Sequence, residues 1–253
     1  MHFFDANCGP YGLSENNVPT IFPTVKEILA DMDAAGVEKT TLWHISQKEM
    51  GWALGNKLIV KDLNENPEAK KRISPSWCVV PTVTGEQGSA EQVVQEMLDA
   101  NAGTVRIFPT DHRWELYPAA IGDLFTLFTE NHIPVYLSVK AMGWDAIYRT
   151  MYMFPDLYVI ICDCGLWGPD RRIRPLLVNY KHTYFETSEY WAAGSIADTV
   201  HAIGPDRLLY GSGAPHYVRG SMMLAIKHAD ISDEAKELIA HGNLERLLQH
   251  YYI

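Results

Sequence analysis

Asp5, Asn7, Arg106, Ser138, Asp163 and Glu186 are side chains of the kinds that move protons or hold anions, and each falls within or at the end of a β-rich run. Two carboxylates sharing one partly dry cavity repel each other, so their pKa values separate and one serves as acid while the other serves as base. Asp5 and Asp163 are the candidates for that work, and His216, a residue type that titrates near neutrality, joins them as the third candidate catalytic group. Arg106 lies inside a strand-like run, where a guanidinium needs a partner or a ligand, and a carboxylate is the group that its forked donors match. Asn7, Ser138, His44 and Glu186 complete the candidate substrate-binding set.

Direction follows from spacing. Side chains two apart on a strand share a face, so Asp5 with Asn7 and Glu186 with Ser188 are expected to point the same way. The competing reading of Asp5 is a structural acid bonded to backbone or to a nearby Ser or Thr, and that of His44 or His216 is an ordinary structural histidine. Lys140 lies two residues after Ser138, on the same face; a solvated loop lysine is the plainer reading of it. Trp43, Trp114, Trp144, Trp167, Tyr190 and Trp191 cluster near the same run ends, where aromatic rings either line a pocket for a planar ligand or pack loops.

These residues need a frame that gathers many strand ends at one place. Short β-rich runs at 2–8, 39–44, 73–80, 103–108, 133–139, 157–163, 183–188 and 207–211 alternate with amphipathic helical runs. The helical runs include 25–35, 90–100, 121–131, 145–154 and 196–203, with 233–240 and 244–251 near the end. Thr24-x-x-Glu27 and Ser232-Asp233-Glu234 are helix-start patterns, and Gly242-Asn243 reads as a break between the last two helices. Strand–helix alternation implies a parallel sheet, and eight alternations in 253 residues fit closure into one α/β (βα)8 TIM barrel, a single domain over 1–253. Active sites of such barrels sit at the carboxyl ends of the strands, where the residues named above fall.

Composition narrows the function. A hydrophobic content of 47% suffices for a large core, and a net charge of −10 argues against nucleic acid or an anionic membrane as partner. No apolar run reaches transmembrane length, and no export signal is evident, so a cytoplasmic protein is expected. Cys8, Cys78, Cys162 and Cys164 show no CxxC spacing and read as buried thiols. Cys8, Cys162 and Cys164 are expected to point away from the barrel axis if Asn7 and Asp163 point toward it.

Several segments, in order, resemble the amidohydrolase-2 family of metal-dependent hydrolases and decarboxylases. Gly36-Val37-Glu38-Lys39 is similar to its Gly-Val-Asp-Lys/Arg turn, Asn66-Pro67 with Arg72 to its His-Pro-x-Arg-Phe, and Gly103-Thr104-Val105-Arg106 to its Gly-Val-Arg/Lys strand. Ile133-Pro134-Val135, Phe154-Pro155-Asp156-Leu157 and Gly242-Asn243-Leu244-Glu245-Arg246-Leu247 have family counterparts as well. The strongest is Gly204-Pro205-Asp206-Arg207-Leu208-Leu209-Tyr210-Gly211-Ser212, which resembles Gly-x-Asp-Arg-Ile-Leu-Phe-Gly-Ser-Asp.

The resemblance implies a divalent metal, zinc by default, held by two histidines of strand one, further histidines after strands five and six, and an aspartate after strand eight. Those positions here hold Asn7, Gly9, Ser138, Asp163 and Gly213. Glycine offers no side-chain ligand and a zinc site takes at least three protein ligands, so no catalytic zinc and no other cofactor are expected. The resemblance implies a hydrolase or lyase acting on a small carboxylated or cyclic substrate, with Asp163 as acid–base and Arg106 and His216 positioning the substrate. A non-catalytic relative that binds a small molecule or a partner is the first alternative. A rebuilt metal site from Asp5, Asp163, Glu186 or His44 is the second. Association into a homo-oligomer is compatible with all three.

Overall fold

A computed structural model of the protein describes residues 1–14, 20–166 and 169–249. Eight strands form one sheet in sequence order: β1 (Phe4–Tyr11), β2 (Lys39–His44), β3 (Ile73–Cys78), β4 (Thr104–Arg106), β5 (Val135–Ser138), β6 (Val159–Cys162), β7 (Thr183–Glu186) and β8 (Leu208–Leu209). Every neighbouring pair is parallel. The last strand returns to the first through Ala6 N to Tyr210 O at 2.8 Å, Gly9 N to Ala214 O at 2.8 Å and Gly213 N to Asn7 O at 2.9 Å. Those bonds close the barrel.

Strands β3 to β8 are shorter than their β-rich runs, whereas β2 matches its run and β1 extends on through Tyr11. Helices that the sequence pattern left unnamed fill two crossovers, Trp52–Asn64 between β2 and β3 and Asp170–Asn179 between β6 and β7. The second hides its period behind three arginines and an internal Pro175. At the end of the chain Gly242-Asn243 makes no break. A π-turn, Leu238–Gly242, joins Asp233–Glu237 to Asn243–Leu248 without interruption. Asn243 is held instead by its amide, which donates to the carbonyls of Pro205 and Leu208 at 2.8 and 2.9 Å. The predicted helix over 244–251 ends at Leu248, and its last two residues lie outside those described.

Two layers of apolar side chains position the site. Val105, Val135, Leu137, Val159, Ile161 and Phe185 face outward to the crossover helices. Phe4, Ala6, Tyr136, Ile160, Cys162 and Leu209 fill the barrel, and Leu244, Leu247 and Leu248 plug its amino-terminal end. A buried leucine contributes roughly 1.5–3 kcal/mol, so the plug is a substantial part of the core. With the foot closed, the opening is at the carboxyl ends of the strands.

Candidate functional site

The mouth holds a cavity of about 480 Å³ bounded by Asn7, Trp43, Arg106, Phe108, Ser138, Asp163, His216 and Tyr217, among others. Alternation sends Arg106 inward from β4, between the outward Val105 and Ile107, and Ser138 inward from β5 after the outward Leu137. Glu186 and Ser188 share the inward face of β7, as their spacing requires, with Ser188 Oγ donating to Glu186 Oε1 at 2.9 Å.

Three placements differ from those expected, the first two because alternation breaks locally and the third because it holds. Asp5 and Asn7 do not share a face. The pairing of β1 with β2 passes from Asp5↔Thr40 to Cys8↔Leu42, so β1 has one extra residue there, and this bulge reverses the parity. Asn7 enters the mouth, whereas Asp5 turns into the wall, fully buried. Asp5 accepts hydrogen bonds from Asn7 N at 3.0 Å, from Ser212 N at 2.8 Å, from Ser212 Oγ, and from Arg219, which also bridges to Asp31 on the outer helix Val25–Ala35. Asp5 is therefore a structural acid outside the cavity.

Asp163 is the second case. Cys162 points into the barrel, against the expectation that it faces out, and Asp163 would then point away. Its left-handed backbone, with φ of 52°, swings it over the mouth instead. Cys8 does face outward, with its thiol beside Arg219. His44 is the third. It follows the inward Trp43 and so turns outward, where its Nδ1 accepts from Ser46 N at 3.1 Å and its ring packs edge-on to Tyr11. Burial lowers its pKa to about 4, so it is neutral at ordinary pH. Asp5 and His44 thus lie apart from Asp163 and Glu186, which do meet at the mouth.

One hydrogen-bonded chain crosses the floor of the cavity. Arg106 Nη2 donates to Asn7 Oδ1 at 2.7 Å, and Asn7 Nδ2 donates to Asp163 Oδ1 at 3.0 Å and Glu186 Oε1 at 3.1 Å. The amide orientation follows from chemistry: a guanidinium only donates, so the oxygen of Asn7 must face Arg106 and its nitrogen the carboxylates. Glu186 is buried, and desolvation first and the charge of Asp163 second push its pKa up to about 8. Hydrogen bonds from Ser188 and from Asp163 N oppose that rise. At neutral pH Glu186 therefore keeps its proton.

Arg106 is 5% exposed, and among the described residues no carboxylate lies within ion-pair distance of it. Its guanidinium stacks 4.1 Å from the ring centroid of Tyr136 and 5.4 Å from that of Trp43, and its Nε–H has no partner. A buried cation with spare donors beside an open cavity is a ready anion site.

At Gly9 and Gly213, where the resemblance implies metal ligands, aromatic side chains take up the space. A Cβ on Gly9 would lie 2.6 Å from Cδ1 of the Trp43 indole, and one on Gly213 would lie 2.7 Å from the Tyr217 ring; both glycines also have positive φ, at 121° and 65°. Ligand side chains at either place would displace those aromatics. The amide oxygen of Asn7 is taken by Arg106, and its nitrogen bridges the two carboxylates. A zinc ion does not fit this donor set.

His216 lines the rim, as do Lys48 and Lys140. Tyr217 and Phe108 line the cavity without having been singled out, though Tyr217 directly follows the candidate His216. Of the aromatic cluster, Trp43 lines the cavity, Trp114 lines an adjoining groove, Tyr190 is buried, and Trp167 lies outside the described residues.

Fold and site together define a (βα)8 barrel with two amide-bridged carboxylates and a buried guanidinium at its carboxyl-terminal mouth. A family model described as amidohydrolase, that of the amidohydrolase-2 group, matches residues 28–249, and the chain belongs to this family. Among solved structures, the barrel resembles a 2,6-dihydroxybenzoate decarboxylase from Rhizobium, 14% identical, with a TM-score of 0.75 over 98% of this chain and 99% of that one. It also resembles an uncharacterised TIM-barrel protein from Bordetella bronchiseptica, 18% identical, TM-score 0.69, covering 99% of each chain. A third likeness is to a 5-carboxyvanillate decarboxylase from Novosphingobium aromaticivorans complexed with manganese and a nitrobenzoic acid, 15% identical, TM-score 0.68, over 88% and 79%. At these identities the likenesses establish the fold. No curated protein matches the chain.

Proposed function

We propose that the protein is a hydrolase or lyase acting on a small planar carboxylate by acid–base chemistry that uses no catalytic metal. The observation that carries this reading is Arg106, a buried cation with an unpartnered Nε–H in the floor of the mouth. It would hold the substrate carboxylate, with Trp43 and Phe108 against the substrate's plane. Asp163, half-buried at the rim, is the proton carrier. In a hydrolytic turnover it takes a proton from water as the water oxygen bonds to the acyl carbon, and returns it to the leaving oxygen as the acyl C–O bond breaks. Glu186, protonated below about pH 8, adds no negative charge beside Asp163, so an anionic substrate can approach.

The decarboxylase likenesses make 2,6-dihydroxybenzoate the first probe, with a carboxylated lactone as the hydrolytic one. Calorimetry should detect binding of one of them, and chromatography should detect product, in chelator-treated protein. Asp163→Asn is expected to lower turnover at least about 100-fold while changing affinity only a few-fold. Turnover that needs added zinc or manganese, or that survives in Asp163→Asn, would overturn the reading. Saturable binding with no product would favour a non-catalytic binder.

Affinity should also depend on pH. Loss of the Glu186 proton adds a negative charge one amide away from Arg106, so carboxylate affinity is expected to fall as pH rises through about 8. Glu186→Gln should flatten that profile. Folding stability has the same sign. The folded-state pKa is raised from 4.5 to about 8, so this contribution is complete below pH 4.5 and is lost as pH rises through 8.

A further inference from the structure

Past Cys162, the last residue of β6, two backbone amides are held by side-chain carboxylates from the end of β7. Asp163 N donates to Glu186 Oε1 at 3.2 Å, and Gly165 N donates to Glu189 Oε2 at 2.5 Å. The other oxygen of Glu189 accepts from the Tyr217 hydroxyl at 2.8 Å. Glu189 lines the mouth and joins the loops that follow β6, β7 and β8 at one point of its wall. It stands apart from the next helix, which starts at Ser195.

Asp163 and Gly165 both have left-handed backbone, with φ of 52° and 83°. Glycine adopts that conformation freely, whereas an aspartate adopts it at a cost and relaxes to the ordinary region unless it is held. In an extended strand, alternation would turn Asp163 away from the cavity, because Cys162 before it points into the barrel. The bond at Gly165 fixes the backbone on the far side of this turn. A carboxylate accepting from a backbone N–H makes a charge-assisted bond, about twice as strong as a neutral one. Tyr217 secures the other end. Its phenol pKa is pushed up to about 12, first by the bond to Glu189, so it remains a donor. Its ring is seated against Gly213 and packs edge-on to Trp191, with centroids 5.2 Å apart.

We infer that Glu189 is a positioning residue that holds Asp163 over the mouth by tying Gly165 to Tyr217. This rests on the proton-carrying role proposed for Asp163 and adds the group on which the place of that carboxylate depends. A glutamine has the same shape and reaches both partners, its oxygen accepting from Gly165 N and its amide donating to the phenol oxygen. Glu189→Gln therefore keeps the tie and removes the charge. Glu189→Ala removes both.

The position of Asp163 can be read in ligand-free protein through Asn7, whose Nδ2 donates to Asp163 Oδ1 at 3.0 Å. In protein labelled with 15N-asparagine, the Asn7 side-chain signal is identified by its loss in Asn7→Asp. Solvent exchange of this amide is expected to rise at least about tenfold in Glu189→Ala and less than about twofold in Glu189→Gln. Tyr217→Phe cuts one arm of the tie, so it should give a smaller rise, and it carries the test if Glu189→Ala folds poorly. With a substrate that the parent turns over, kcat should fall at least about tenfold in Glu189→Ala, with KM within a few-fold, and recover in Glu189→Gln. Unchanged exchange in Glu189→Ala, or in Tyr217→Phe where that variant stands in for it, would overturn the inference. So would equal acceleration in Glu189→Gln. The two failures are distinct: exchange tests the tie even in protein that turns nothing over, whereas Asp163→Asn tests the reaction.

Discussion

Arg106→Met is expected to weaken carboxylate binding by about thirty-fold to a few thousand-fold, without lowering Tm. Truncating one partner of a buried, hydrogen-bonded charge pair costs about 2–5 kcal/mol, and each 1.4 kcal/mol is about tenfold in affinity. The second half of the expectation separates a ligand-binding cation from a structural one. No carboxylate of the described protein balances Arg106, so its removal relieves a desolvated charge, and water in the adjoining cavity can satisfy Asn7 Oδ1. Isothermal titration with 2,6-dihydroxybenzoate and a thermal melt of the unliganded protein measure the two halves. A large drop in Tm with unchanged affinity would make Arg106 a structural residue. Arg106→Lys should recover only part of the affinity, because an ammonium lacks the planar fork that pairs a carboxylate at two points.

The largest effect on stability belongs to Arg219, which lies outside the mouth. Arg219→Met is expected to cost about 3–5 kcal/mol, a fall in Tm of about 6–20 °C. Its guanidinium is buried against the fully buried Asp5, and it ties β1 to Asp31 on the outer helix Val25–Ala35. Removing it leaves the Asp5 carboxylate charged in the wall with only Ser212 and backbone donors. Asp5→Asn in the same background should restore part of the loss, because it removes the uncompensated charge. Urea unfolding of the two single variants and the double variant gives the coupling directly. An Arg219→Met protein as stable as the parent would mean that the Asp5 network does not hold the wall together.

The two arginines also show how far the residues could be read before they were folded. Arg106 was legible as an anion anchor because a guanidinium inside a strand has few reasons to be there. Arg219 carried no such signal; it sits after β8 among loop residues, and only the packed structure joins it to Asp5, 214 positions away in sequence. The plainer reading of Asp5, an acid bonded to backbone and a nearby serine, is the one the wall realises. Glu186 and Ser188 behaved as period-two spacing requires because β7 is regular through Glu186. The inward Asn7 and the mouth position of Asp163 rest on a one-residue bulge and a left-handed backbone. Period-two reasoning cannot anticipate either, since each depends on how neighbouring strands pair.

The eight apolar runs, their helical crossovers and the ordered family signatures are local patterns, so the barrel and the family were determined by the sequence alone. The positions at which the resemblance implies metal ligands, Asn7, Gly9, Ser138, Asp163 and Gly213, were nameable there as well. What the sequence could not contain is what now fills those positions. Trp43 lies over Gly9, Tyr217 over Gly213, and an arginine–amide–dicarboxylate chain spans the floor. Those contacts join residues up to 179 positions apart, and they exist only because closing the barrel brings the ends of β1, β2, β4, β6, β7 and β8 to one mouth.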